Sequence, residues 1–86
     1  MNKNESLANY DTYSSTDLGC ATGLVSLGFE LFSLDRSTPS RVKFIFQKRN
    51  KLEETVEAYW ADALAVNPRI YFNNLKNIKS LIYGGV

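Results

Sequence analysis

Apolar positions begin to recur in earnest at residue 18, and their period changes twice before the chain ends. Leu18, Ala21 and Val25 lie at helical spacing, and Leu24 widens the stripe. Ser15 and Thr16 just ahead of them offer hydroxyls to orphan backbone N–H groups, and Asp17 suits the positive end of a helix dipole. Gly28 predicts a left-handed stop, with Phe29 folding back against Leu24. Gly19 and Gly23 are poor helix formers, each costing about 1 kcal/mol against Ala. They are expected to admit the close approach of another element. No strand precedes them and their spacing is wrong for a phosphate loop.

The period then switches to two. "FELFSLDRSTPSRVKFIFQ" reads as two β-rich runs flanking a Ser/Thr/Pro turn at 36–40, a hairpin. Placing Asp35 opposite Arg41 sets Leu34 beside Val42 and Phe32 beside Phe44, with Phe46 on the same apolar side. The other face then carries Phe29, Leu31, Ser33, Asp35, Arg41, Lys43, Ile45 and Gln47. Alternation decides what the aromatics of the second strand are for. Phe44 and Phe46 point away from Arg41 and Lys43, so rings and cations cannot grip one base together, and the rings are core.

Helical spacing returns in "NKLEETVEAYWADAL", where Leu52, Val56, Tyr59 and Ala63 form a stripe with Trp60 at its margin. Asn50 is the expected N-cap, with Glu53 as its capping-box acid. After an extended "LAVNP" link, Asn67 caps a last helix with Pro68 at its first position. Tyr71, Leu75, Ile78 and Ile82 make its buried stripe, Lys76 and Lys79 suit the negative end of its dipole, and Gly84 ends it.

Residues 1–13 show no apolar period and read as a flexible arm, with Tyr10 and Tyr13 available to pin it down. Residues 14–86 then form a single small α+β domain: a helix, an antiparallel β-hairpin, and two helices packed on one face of that hairpin. An isolated hairpin is marginal in water and requires such a roof. The expected core is Leu18, Val25, Leu34, Val42, Phe44, Phe46, Leu52, Val56, Tyr59, Leu75, Ile78 and Ile82. On the far face Leu31 and Ile45 are left adjacent. Either residues 63–66 pair as a short third strand, or the pair marks a surface for a partner.

Composition narrows the chemistry. The chain has 86 residues, 44% hydrophobic and 13% aromatic, enough for one small core. A net charge of +1 selects no polyanion, so any electrostatic argument is local. There is no histidine and one cysteine, Cys20, read as a half-buried inert thiol. The absence of His removes the usual acid–base and triad chemistry and the commonest metal ligand. We therefore expect no enzyme, no cofactor and no metal site. With no leader and no long apolar run, a cytoplasmic setting without membrane insertion is the expectation.

Arg41, Lys43, Lys48, Arg49 and Lys51 place five cations within eleven residues, with no acid between them. They span a strand end and a helix start and constitute the candidate anion or nucleic-acid site, sequence-blind and salt-sensitive. Glu53, Glu54 and Glu57 on the next turns could neutralise them within the molecule. Leu31, Ile45 and Trp60 are the candidate protein-binding residues. "VKFIFQ" has the look of an RNA-recognition strand, but the glycines and the strand–helix–strand units of that module are absent. The expected partner is thus a protein or a nucleoprotein, with direct nucleic-acid contact or homodimerisation as the forms it takes.

Thr16-Asp17-Leu18, Gly28-Phe29, Asp35-Arg36-Ser37, Phe44-Ile45-Phe46 and Ala58-Tyr59-Trp60 together carry a likeness that runs through nearly everything after the arm. In these the chain resembles a family of small uncharacterised domains of bacteria, phages and mobile elements. The resemblance implies a short accessory protein of phage or mobile-element type and assigns no catalytic or binding residue.

Overall fold

The computed structural model describes residues 11–38 and 40–84. Its elements run β1 Thr12–Ser15, α1 Leu18–Ser26, β2 Leu31–Thr38, β3 Arg41–Gln47, α2 Leu52–Trp60 and α3 Pro68–Gly84. The fold is α+β: three helices pack against a three-stranded antiparallel sheet of order β1-β3-β2. Among the described residues no helix is long and apolar enough to cross a membrane.

The third strand comes from the arm, and residues 63–66 are unpaired coil. Tyr13 pairs with Phe46 and Ser15 with Phe44, so the short run "TYSS" completes the sheet by lying along the strand that carries the core rings. Tyr13 packs against that core; Tyr10 lies outside the described residues.

Helix α1 starts one residue later than its hydroxyls suggest. Asp17 is its N-cap, and its Oδ1 accepts from the Cys20 N–H at 2.8 Å. Ser15 serves the cap itself: its Oγ accepts from the Asp17 N–H at 3.1 Å. The far end closes as expected. Gly28 has φ +97°, its N–H donates to the Val25 carbonyl, and the Phe29 N–H donates to that of Leu24. Between these ends Cys20, Ala21, Thr22, Gly23 and Leu24 are all buried. A helix enclosed nearly all round has no single stripe. For that reason Cys20 is fully buried rather than half-exposed, and burial pushes its thiol pKa up. Thr22 is admitted because its Oγ1 donates to the Leu18 carbonyl at 2.8 Å.

The two helix glycines are points of contact. A Cβ on Gly19 would collide with the Tyr59 hydroxyl, and one on Gly23 would sit 3.1 Å from Leu64.

Strand β3 keeps the expected alternation: Phe44 and Phe46 are buried, Arg41 and Lys43 exposed. Strand β2 does not. Its register sets Asp35 opposite Lys43, Leu34 opposite Phe44 and Leu31 opposite Phe46. The expected pairs Asp35–Arg41, Leu34–Val42 and Phe32–Phe44 are therefore absent. Two irregularities, between Leu31 and Ser33 and between Asp35 and Thr38, account for the change. The first has a clear cause. The stop at Gly28 sends Phe29 into the core, which commits Leu31, two residues on, to the same side. Leu34 packs there too, with the opposite parity. One extra residue must intervene, and it is Phe32, which the bulge leaves 65% exposed.

The core is Cys20, Ala21, Leu24, Phe44, Phe46, Leu52 and Ile78, flanked by Leu18, Val25, Leu34, Val42, Val56, Tyr59 and Ile82. Leu75 of the expected set is half-buried. At α2 the position before Leu52 is Lys51, in the left-handed region at φ 74° and with no side-chain cap, so Asn50 does not cap that helix. The α3 cap is as expected: Asn67 Oδ1 accepts from the N–H groups of Arg69 and Ile70, both at 3.0 Å.

Candidate nucleic-acid interface

The helices cover one side of the sheet, and the bulge in β2 decides what the other side shows. Ile45, half-buried, lies between Ser14 of β1 and Ser33 of β2. Phe32 and Ser33 together oppose it, the arrangement a bulge imposes. Further along β3, Lys43 and Arg41 face the same way, opposite Asp35 and Thr38. The open face thus combines one exposed ring, a patch of hydroxyls and two exposed cations.

Among the five sequence-predicted cations, the structure separates Arg41 and Lys43 from Lys48, Arg49 and Lys51. From Lys43 to Lys48 the strand advances roughly 15 Å. All five are exposed. Lys48 is partly engaged: its Nζ lies 3.4 Å from Glu53, and its N–H donates to the Asp11 carbonyl at 2.6 Å. That ion pair is exposed on both sides and contributes at most about 1 kcal/mol. Among the described residues the other four cations form no ion pair. Asp35 lies across from Lys43. Its pKa is lowered first by the Ser37 N–H, which donates to Oδ1 at 2.9 Å, and last by Lys43.

The protein-binding candidates are also redistributed. Leu31 belongs to the core side, where it pairs with Phe46, so the expected Leu31–Ile45 patch does not form. Phe32 takes its place beside Ile45. Trp60 stands 61% exposed, with its ring edge-on to Tyr59 at 4.9 Å between centroids. It is the last residue of α2 and belongs to no strand of the sheet.

Below the sheet, Tyr59 donates its hydroxyl to Asp17 Oδ1 at 2.8 Å, tying α2 to the cap of α1. Burial, then that bond to a carboxylate, push the Tyr59 pKa up to about 12. Arg36, assigned by sequence only to a turn, forks onto the last turn of α3. Its two terminal nitrogens donate to the carbonyls of Leu81 at 2.6 Å and Ile82 at 3.1 Å. A guanidinium suits that end of a helix, where unpaired carbonyls concentrate negative charge. An open groove of about 390 Å³ lies between this turn and the turn end of the hairpin, with Arg41, Val42, Ile82 and Tyr83 on its walls.

No curated protein and no solved structure matches the chain. Residues 10–84, from just before β1 to the end of α3, match one family along their whole length. The chain belongs to the family described as Domain of unknown function (DUF5659).

Proposed function

We propose that the protein is a non-catalytic accessory module that binds single-stranded nucleic acid on the open face of its sheet. The single observation that carries this reading is the company Phe32 keeps. It is a 65% exposed ring on a face whose cations, Arg41 and Lys43, have no ion-pair partner among the described residues. Such a ring offers a stacking surface worth about 1–3 kcal/mol per base, and the cations meet the backbone. The hydroxyls of Ser14 and Ser33 and the Gln47 amide supply hydrogen bonds on the same face. Lys48, Arg49 and Lys51 extend the charge beyond the end of β3. The proposed setting is the cytoplasm, and the phage or mobile-element context rests on the sequence resemblance alone.

The test is fluorescence anisotropy with a labelled single-stranded oligonucleotide across a salt series. Contacts from Arg41, Lys43 and Lys48 predict a slope of log K against log salt near −2, from about −0.7 per phosphate neutralised. Phe32→Ala should weaken binding at least ~5-fold, from the lost stacking. The reading fails if micromolar protein shows no salt-sensitive binding at low salt.

One observation favours a second reading, a protein partner or a second copy on the same face: Phe32 and Ile45 form an apolar pair there. Ile45→Lys would then abolish self-association or partner capture with the helical signal intact. If association survives the change, that pair is idle.

A further inference from the structure

The face of α3 that points away from the core carries exposed cations and no acid. From Asn67 to Gly84 the chain contains no Asp or Glu, while Arg69, Lys76 and Lys79 are all exposed. Tyr71, Asn74, Leu75, Ile78 and Ile82 make the inward side. The exposed apolar residues are split between the two flanks, Ile70 and Leu81 on one and Phe72 and Tyr83 on the other, so they form no continuous apolar face along the outward arc. At 100° per residue, Arg69, Asn73, Lys76 and Ser80 fall along the centre of the outward arc. Asn77 lies on one flank and Phe72 and Lys79 on the other. None of the three cations lies within ion-pair distance of an acid among the described residues. Lys76 instead lies 5.1 Å over the Phe72 ring, which keeps its charge on the outer surface.

We propose that this face of α3 is a second, duplex-directed contact that seats in the major groove of B-form DNA. An α-helix with its side chains is about 10–12 Å across and the major groove about 12 Å wide. The 17 residues of α3 span roughly 25 Å, enough to cross the groove and reach phosphates on both walls. The residue types fit their positions. Arg and Lys along the arc meet phosphates or the acceptors of guanine. Asn73 at its centre and Asn77 beside it carry the amide that pairs with the adenine edge, and the Phe72 ring suits a thymine methyl. An acidic protein would satisfy the cations but leaves the central Asn73 amide and its flanking neighbour Asn77 without a role. Charge complementarity and groove width make the duplex the partner of choice. This contact stands independently of the sheet-face reading, since it uses a different element and a different form of nucleic acid.

The experiment compares the full chain with Lys76→Ala/Lys79→Ala and with Arg41→Ala/Lys43→Ala, all at exposed positions. Binding is read by anisotropy on a labelled duplex of about two helical turns and on a single strand of equal length, over a salt series. For the helix variant, duplex affinity should fall at least ~10-fold, and the salt slope should become shallower by about 1.8, two contacts at about 0.9 each. The sheet variant should keep its duplex affinity. Asn73→Ala should narrow the spread of affinities among duplexes of different sequence and leave the salt slope as it was. Absence of duplex binding at micromolar protein, an unchanged slope in the helix variant, or capture of an acidic peptide in preference to DNA would each overturn the proposal. Loss of single-strand binding alone would bear on the sheet face only.

Discussion

Adding one methyl group at Gly19 tests the contact that locks α2 onto the start of α1. A Cβ there meets the Tyr59 hydroxyl well inside contact distance, and also lies 3.3 Å from the ring carbon that bears it. In an open helix Gly→Ala stabilises by about 1 kcal/mol. Here the expected overpacking cost is about 2–3 kcal/mol, so Gly19→Ala should be net destabilising by about 1–2 kcal/mol. Tyr59→Phe should also destabilise, by about 1–2 kcal/mol. It deletes a charge-assisted hydrogen bond to Asp17 that is only partly shielded from water. The two losses should not add. Without the hydroxyl the new methyl loses its worst collision, and the helix-propensity gain offsets the remaining 3.3 Å contacts with the ring carbon and Asp17 Oδ1. The double variant should therefore lie within about 0.5 kcal/mol of Tyr59→Phe alone, a coupling of 1 kcal/mol or more. Urea melts measure this directly, because m near 1 kcal/mol per molar for so small a chain turns each kcal/mol into a midpoint shift of about 1 M. Strict additivity of the two changes would refute the packing account of Gly19.

Three further outcomes are expected. The Tyr59 pKa is raised to about 12, so its stabilising effect is whole below the unfolded value near 10 and is lost as pH climbs from there toward 12. Tyr59→Phe should flatten that alkaline decline, leaving the part due to Tyr13 and Cys20, whose pKa values burial also raises; equal declines in the two proteins would contradict it. Arg36→Ala should cost about 1 kcal/mol and speed amide exchange in the last turn of α3, with exchange in α2 as the internal control. Lys51→Gly should stabilise by about 0.5–1 kcal/mol, since a side chain at φ 74° is strained; a lowered melting temperature would show that Lys51 is held there by something other than backbone geometry.

The features legible in the sequence were those fixed by neighbours a few residues away. Gly28 with Phe29 announces its stop, Asn67-Pro68 its cap, and the alternation from Arg41 to Gln47 sorts rings from cations. Where two distant constraints must be reconciled, sequence reading went astray. The parity of β2 depends on Phe29 and Leu31 being held by α1 while Leu34 meets Phe44. No local pattern in "FELFSL" reveals that Phe32 is the residue left outside. "TYSS" is too short and too polar to read as a strand, and it becomes one because β3 presents a free edge. Cys20 is buried because α1 is walled in by neighbouring elements, a property of the assembly rather than of helical spacing. The same holds for the candidate site. The five cations are contiguous in the chain, but a strand's length divides them, and the ring that completes the face came from a different strand. The acid-free outer arc of α3 was visible in principle, as a run of residues from 67 to 84 without Asp or Glu.

Strand β1 precedes every other described element, yet its hydrogen-bonded partner is β3, whose pairing residues run to Gln47. A chain emerging from the ribosome therefore carries β1 unsatisfied while α1 and β2 are being made. Sheet completion waits on the arrival of Phe44 to Gln47. Until then "TYSS" and the half-built hairpin expose pairing edges to any neighbouring chain. Its weak apolar content is then an asset, since a polar first strand is a poor template for mispairing on a crowded polysome.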